Sequence, residues 1–201
     1  MSPSASTASN ISSRTVRLTA VCGGIGSGKS MVCSMLTAMG FPVYDCDSRA
    51  KALMDSDPGI RKAIARDIAA EALFESGEID RRTLSAIVFA DARKLATLNA
   101  IVHGAVRDDI ARWTQTEGTK DKRLFVETAI LMESGLDRMV DEIWLVTAPE
   151  EVRITRVGRR SGLTPEQTKS RIAMQKDPDG ADAVIVNDGV MPLLPQIERL
   201  I

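Results

Sequence analysis

Gly23-Gly24-Ile25-Gly26-Ser27-Gly28-Lys29-Ser30 fits the pattern G-x-x-x-x-G-K-[ST], and its setting decides the fold. The run before it, Val16 to Cys22, is short, β-branched and closed by glycines, which predicts a buried strand. After it, Ser30 to Met39 carries apolar residues at Val32, Met35 and Leu36 with Gly40 as a C-cap, which predicts a helix. Phe41 to Tyr44 reads as a second strand with Asp45 at its carboxyl end, completing a βαβ unit. The four glycines let successive backbone N–H groups turn inward around a phosphate, and the helix N-terminus adds partial positive charge. Lys29 would bridge the β- and γ-phosphates, the Ser30 hydroxyl would ligate Mg²⁺, and Met31 would contribute only its N–H. The stretch Gly24, Ile25, Gly26, Ser27, Gly28, Lys29, Ser30 and Met31 is therefore the expected site of a nucleoside triphosphate.

Working outward, Ser48 to about Gly118 is helical in pattern, with breaks at Asp55-Ser56-Asp57-Pro58-Gly59 and Ser76-Gly77-Glu78. A first helical segment from Ser48 is followed by one over Ile60 to Phe74, a third through Leu84 and Val88, and a fourth through Leu95 to Ile110. A crossover between parallel strands needs only a dozen residues or so, so 48–117 is an inserted helical subdomain. Strand pattern returns at Leu124 to Val126, ending on Glu127, then at Ile143 to Val146 and Val184 to Val186. Thr147 with Glu150, and Thr164 with Gln167, stand at capping-box spacing ahead of two further helices. The expected fold is α/β: a doubly wound, parallel, five-stranded sheet with core segments 16–47 and 118–201.

Two constellations bear on what uses the triphosphate. Asp45-Cys46-Asp47 lies at the carboxyl end of a strand, where doubly wound sheets bind ligands. One carboxylate could take a hydroxyl proton and the other hold Mg²⁺ through water; alternatively Asp47 merely caps a helix starting at Ser48. Arg153, Arg156 and Arg160 fall on one helical face with no acidic residue between Glu151 and Glu166. They read either as a solvated basic face or as a lid, about 153–178, closing over ATP. A GTPase switch is excluded, because the chain has no N-K-x-D base reader and Asp177-Pro178-Asp179-Gly180 follows no strand.

Composition narrows the class further. The 201 residues are 44% hydrophobic and 26% charged, as in an ordinary globular protein. No 18-residue apolar run appears, so no membrane span is expected. With 26 basic and 27 acidic residues the net charge is −1, which gives no global reason to bind nucleic acid or an anionic membrane. Aromatic residues are only 3%, so an aliphatic core of Leu, Ile, Val, Ala and Met is expected. Three cysteines, Cys22, Cys33 and Cys46, without CxxC spacing suit a reducing cytoplasm better than a disulfide scaffold or zinc site. Residues 1–15 are rich in Ser, Thr and Ala and lack an apolar segment; a disordered tail is expected rather than a transit peptide.

Taken together, Leu18–Ser30 (LTAVCGGIGSGKS), Gly40–Asp47 (GFPVYDCD), Gly77–Leu84 (GEIDRRTL), Leu98–His103 (LNAIVH), Ile130–Leu136 (ILMESGL), the lid segment Arg153–Gln175 and Ala181–Gly189 (ADAVIVNDG) resemble the dephospho-CoA kinases. Their order and spacing are specific, and the resemblance covers essentially everything after the tail. It implies an ATP- and Mg²⁺-dependent kinase acting on the ribose 3′-hydroxyl of dephospho-CoA, with no nucleic acid, membrane or obligate protein partner. It implies that 48–117 binds dephospho-CoA, that Asp47 is the catalytic base, and that Asp45 serves the metal beside Ser30. Lys29 and Arg156 join the catalytic set. Arg156 and Arg160 match the lid arginines that contact ATP phosphates, and Asn187 and Gly189 sit where related kinases turn a loop around adenine. Arg81 matches a substrate-side arginine. His103 matches a His-Pro position, with Gly104 in place of proline, and is read as structural before catalytic. The chain departs from the family at Met31, where Thr is usual. It departs again at Thr128-Ala129, which leaves Glu127 at the strand end to act on magnesium through water, and between Gln175 and Ala181, which is a few residues short and holds only Lys176 as a cation. The alternatives from the residues alone are another small-molecule kinase or a nucleotide-sensing module without transfer.

Overall fold

A computed structural model describes residues 16–118, 122–175, 177–178 and 180–201. The expected tail at 1–15 and Lys176 lie outside the described residues. Five strands form one sheet: β1 (Arg17–Cys22), β2 (Val43–Asp45), β3 (Arg123–Glu127), β4 (Glu142–Thr147) and β5 (Ala183–Val186). Their order is β2-β3-β1-β4-β5 and every pairing is parallel. β1 is central, so the loop leaving its carboxyl end opens at the point where strand order reverses, the ligand position of such sheets.

Alternation along the strands sends side chains to two cores. On one face Leu18, Ala20, Cys22, Leu124 and Val126 pack against the helices that follow β2. These are α2 (Cys46–Ser56), α3 (Pro58–Asp67), α4 (Arg81–Ala90) and the long α5 (Ala92–Glu117), all lying between β2 and β3 in the chain. Each begins with an aspartate cap, Asp45, Asp57, Asp80 and Asp91, whose carboxylate accepts from free amides of the first turn. On the other face Val21, Phe125, Trp144, Val146 and Ile185 pack against α1 (Lys29–Ala38) and α8 (Leu193–Glu198).

The core is largely aliphatic on both faces of the sheet, as composition leads one to expect, with a few aromatics set into each. Phe125 and Trp144 are the bulkiest fully buried side chains, with ring centroids 5.1 Å apart, while Met31, Met132, Met174 and Met191 are exposed. On the insertion side the buried aromatic is Tyr44.

Two local expectations are corrected. The helix expected over Ile60 to Phe74 ends at Asp67. The amides of Ile68 and Ala69 both close on the Ile64 carbonyl, and the chain turns inward to bury Ala69 and Ala72. A short 3₁₀ turn (Ala70–Ala72) then leads into an antiparallel bridge between Leu73 and Ile79. Thr147 caps nothing: it is the last residue of β4, paired with Val186, and α6 (Glu150–Ser161) starts from Pro149 without a side-chain cap. Thr164 does form the capping box with Gln167 at the start of α7 (Pro165–Ala173). No described helix is long and apolar enough to cross a membrane.

Candidate active site

The glycine-rich loop leaves β1 at Gly23 and enters α1 at Lys29, and its carbonyl side is held by cations and an amide. Lys29 Nζ donates to the Gly23 carbonyl at 2.8 Å. Arg153 Nε, from α6, donates to the Ile25 carbonyl at 2.9 Å. Arg156 Nη1 donates to the carbonyls of Gly26 and Ser27 at 3.4 and 3.3 Å. Asn187 Nδ2, just beyond β5, donates to the Ser27 carbonyl at 2.9 Å, and its Oδ1 accepts from Arg156 Nη2 at 3.1 Å. In a trans peptide the carbonyl and the following N–H point in opposite directions. Pinning the Ile25 and Ser27 carbonyls toward α6 therefore aims the Gly26 and Gly28 amides the other way, into a ready anion cradle.

Two glycines are fixed by this packing as well as by the needs of a ligand. Gly28 sits at φ 96°, and a Cβ there would meet the Asn187 amide. At Gly24 a Cβ would meet the Arg153 guanidinium. The Ile25 amide donates to Gln175 Oε1 at 2.6 Å, and the Met31 amide closes on the Gly28 carbonyl at 3.0 Å.

The acidic groups divide their tasks. β2 and β3 pair so that Asp45 stands opposite Glu127. Asp45 Oδ1 accepts from the Asp47 and Ser48 amides at 3.0 and 3.2 Å, and Oδ2 from Ser48 Oγ at 2.6 Å, so Asp45 is the cap of α2. The helix begins at Cys46, two residues earlier than a cap at Asp47 would require. Glu127 Oε1 accepts from Ser30 Oγ at 2.8 Å. Asp47 is exposed in the first turn of α2. Burial holds the Lys29 ammonium below the usual lysine range, countered in part by the negative charges of Glu127 and then Asp47. A hydroxyl at 2.8 Å from a carboxylate, with Asp45 on the neighbouring strand end, is the hard oxygen donor set that suits Mg²⁺.

Cys46, between the two aspartates, is buried and its thiol is pushed up to about 12 by burial and then by Asp47 and Asp45, so it is an inert packing group. Arg81 forms a 2.6 Å ion pair with Asp55 at the end of α2. His103 is half-buried on α5, and burial followed by the Arg107 charge lowers its pKa. Neither makes a hydrogen bond to the glycine-rich loop among the described residues. Arg160 is exposed in the last turn of α6, and Gly189, at φ 88°, follows Asp188, whose Oδ1 caps the Val190 and Met191 amides. Sequence patterns give no signal for Gln175, which meets the loop from 150 positions away in the chain. Arg153 stands on the expected basic face, but nothing in the spacing separates it from Arg160.

The sheet order, the loop entering α1 and the carboxylates at the β2 and β3 ends define a P-loop kinase of the small-molecule type. The family model for dephospho-CoA kinase matches residues 17–192. A dephospho-CoA kinase from Bacteroides fragilis is 38% identical over 185 residues, spanning 90% of this chain and 89% of that protein. Among solved structures, TT1252 from Thermus thermophilus superposes with a TM-score of 0.75 at 31% identity, covering 92% of this chain and 95% of that one. Dephospho-CoA kinase from Campylobacter jejuni superposes with a TM-score of 0.63 at 25% identity, covering 86% and 89%. The chain belongs to the dephospho-CoA kinase family.

Proposed function

We propose that this chain transfers the γ-phosphoryl group of ATP to the ribose 3′-hydroxyl of dephospho-CoA, giving CoA and ADP. The observation that carries the assignment of roles is the division of labour among three carboxylates. Asp45 is engaged as a helix cap and Glu127 on Ser30, which leaves Asp47 as the exposed carboxylate free to receive a proton. The 3′-oxygen attacks the γ-phosphorus, the bond to the β–γ bridging oxygen breaks to release ADP, and the hydroxyl proton passes to Asp47. Lys29 and the Gly24–Met31 loop hold the phosphates, and Arg156 and Arg160 cover their charge. Ser30 would hold Mg²⁺, with Glu127 and Asp45 acting on it through water, and the ion would supply neutralisation of phosphate charge. The helical insertion takes the acceptor, with Arg81 and His103 on its substrate side, and Asn187 and Gly189 border the adenine. Catalysis is then mainly positional and electrostatic.

Three unpaired, buried cysteines support a cytoplasmic setting, and the balanced charge supports small-molecule partners alone. The test is incubation with Mg-ATP and dephospho-CoA, reading CoA by mass, with AMP and gluconate as control acceptors. CoA formed only from dephospho-CoA is the expected result. ATP binding without transfer to any acceptor would overturn it in favour of a nucleotide sensor.

A further inference from the structure

Away from the phosphate loop, one carboxylate ties the base-bearing turn to the helical insertion. Asp109, on α5, is only 8% exposed, yet it is charged and surrounded by donors. Its Oδ2 accepts from Tyr44 Oη at 2.7 Å and from Arg49 Nε and Nη2 at 3.0 and 2.6 Å. Its Oδ1 accepts from Arg112 Nη2 at 3.4 Å. Tyr44 is the residue before Asp45, and Arg49 is two residues after Asp47. Both flanks of the Asp45–Asp47 turn are therefore fastened to a single oxygen of a side chain 60 or more positions away.

The packing reinforces this attachment. The Tyr44 ring, 3% exposed, lies against Trp113 of α5 with centroids 5.3 Å apart, and the Arg49 guanidinium sits 5.7 Å from the Tyr44 centroid. Burial alone would raise the Asp109 pKa, but hydrogen bonds from Tyr44 and Arg49 outweigh it and hold the carboxyl below its usual range. Apolar residues of the same size would hold α2 on α5 at least as firmly, because buried ions recover their desolvation cost poorly. What an ionic, directional anchor adds is a fixed angle between the elements it joins.

We propose that Asp109 is a positioning residue for phosphoryl transfer: through Tyr44 and Arg49 it sets the placement of Asp47 relative to the insertion that holds the acceptor. The proposal rests on the reading of Asp47 as the base. A misplacement of about 1 Å at a reacting group can lower a rate on the order of a hundredfold. Asp109→Leu, which removes the acceptor, is expected to lower kcat by about tenfold to a hundredfold while the ATP KM stays within about twofold. Asp109→Asn, which keeps an acceptor oxygen, recovers most of that loss.

The decisive measurement is the double-mutant cycle with Asp47→Asn. If Asp109 acts through Asp47, Asp109→Leu causes no further loss in the Asp47→Asn background; a general weakening of the fold would multiply in full. Full multiplication alongside a large effect of Asp47→Asn overturns the positioning role and leaves the base intact. Unchanged turnover of Asp47→Asn overturns both. Should Asp109→Leu show no cooperative thermal transition, Tyr44→Phe carries the same cycle, since it deletes one hydrogen bond and keeps the ring on Trp113. It is expected to lower kcat about threefold in the parent and not at all beside Asp47→Asn, and an equal loss in both backgrounds overturns the proposal.

Discussion

Gln175 places its side-chain oxygen 2.6 Å from the Ile25 amide, as a phosphate oxygen would approach a backbone N–H of such a loop. The contact satisfies a donor at the mouth of the cradle in the free protein, and an incoming triphosphate must compete with it. Gln175→Ala is therefore expected to tighten ATP binding about threefold to tenfold, the equivalent of one hydrogen bond. Isothermal titration with a non-hydrolysable ATP analogue reads this directly. A weaker Kd in the variant would show that Gln175 organises the loop for the nucleotide.

Glycine substitutions should separate packing from backbone strain. Gly24→Ala meets the flexible ends of Arg153 and Gln175, which can yield only by loosening their hydrogen bonds to Ile25, so its stability loss is expected to be about 1 kcal/mol. Gly28→Ala meets the buried Asn187 amide at a left-handed backbone position, φ 96°, and is expected to lose about 1–3 kcal/mol from strain. Thermal unfolding of the two variants checks the contrast, with Gly28→Ala lower by roughly 2–8 °C. Equal midpoints would show that the Asn187 contact yields freely.

Lys29 serves the nucleotide at the expense of the free protein. Its folded pKa lies below the ordinary 10.5, so the unfolded chain binds its proton more tightly. The destabilisation is full below the folded pKa and fades as pH rises from there toward 10.5. Lys29→Met is accordingly expected to melt higher than the parent at pH 7 without ligand, with the gap closing toward pH 10. ATP binding and turnover should both fall in the variant. A gap that widens with pH would contradict burial as the dominant influence on Lys29.

Asp47→Asn keeps shape and removes the proton acceptor. Turnover with dephospho-CoA is expected to fall by roughly 10²–10⁴ while ATP affinity is nearly unchanged. Rapid-quench measurement of the first turnover, beside titration of ATP, separates the two quantities.

Local chemistry made most of the fold legible. The strands fall on short apolar runs, and Thr164-Pro165 marks a helix start that the structure reproduces, whereas α3 starts at Pro58, inside the stretch read as a break. Spacing misled where an extended residue satisfied the same pattern. Thr147 and Glu150 have capping-box separation, but strand pairing with Val186 holds Thr147 in β4. The glycine-rich loop was readable because one contiguous motif carries it. What grips that loop was not, because Arg153, Gln175 and Asn187 converge from three elements, and no local rule links an asparagine after β5 to the Ser27 carbonyl. The same holds for Asp109, whose partners from outside α5 lie on β2 and α2.

The sheet order also has a consequence for biosynthesis. β1 leaves the ribosome first, yet its neighbours β3 and β4 begin at Arg123 and Glu142. While α2 to α5 emerge and pack on one another through shorter-range contacts, the apolar stretch Leu18–Cys22 waits with neither edge hydrogen-bonded. Such long-range parallel pairing forms slowly and leaves the unpaired strand open to aggregation. The nascent chain is thus most in need of shelter along Leu18–Cys22, the segment that later becomes the most protected strand of the sheet.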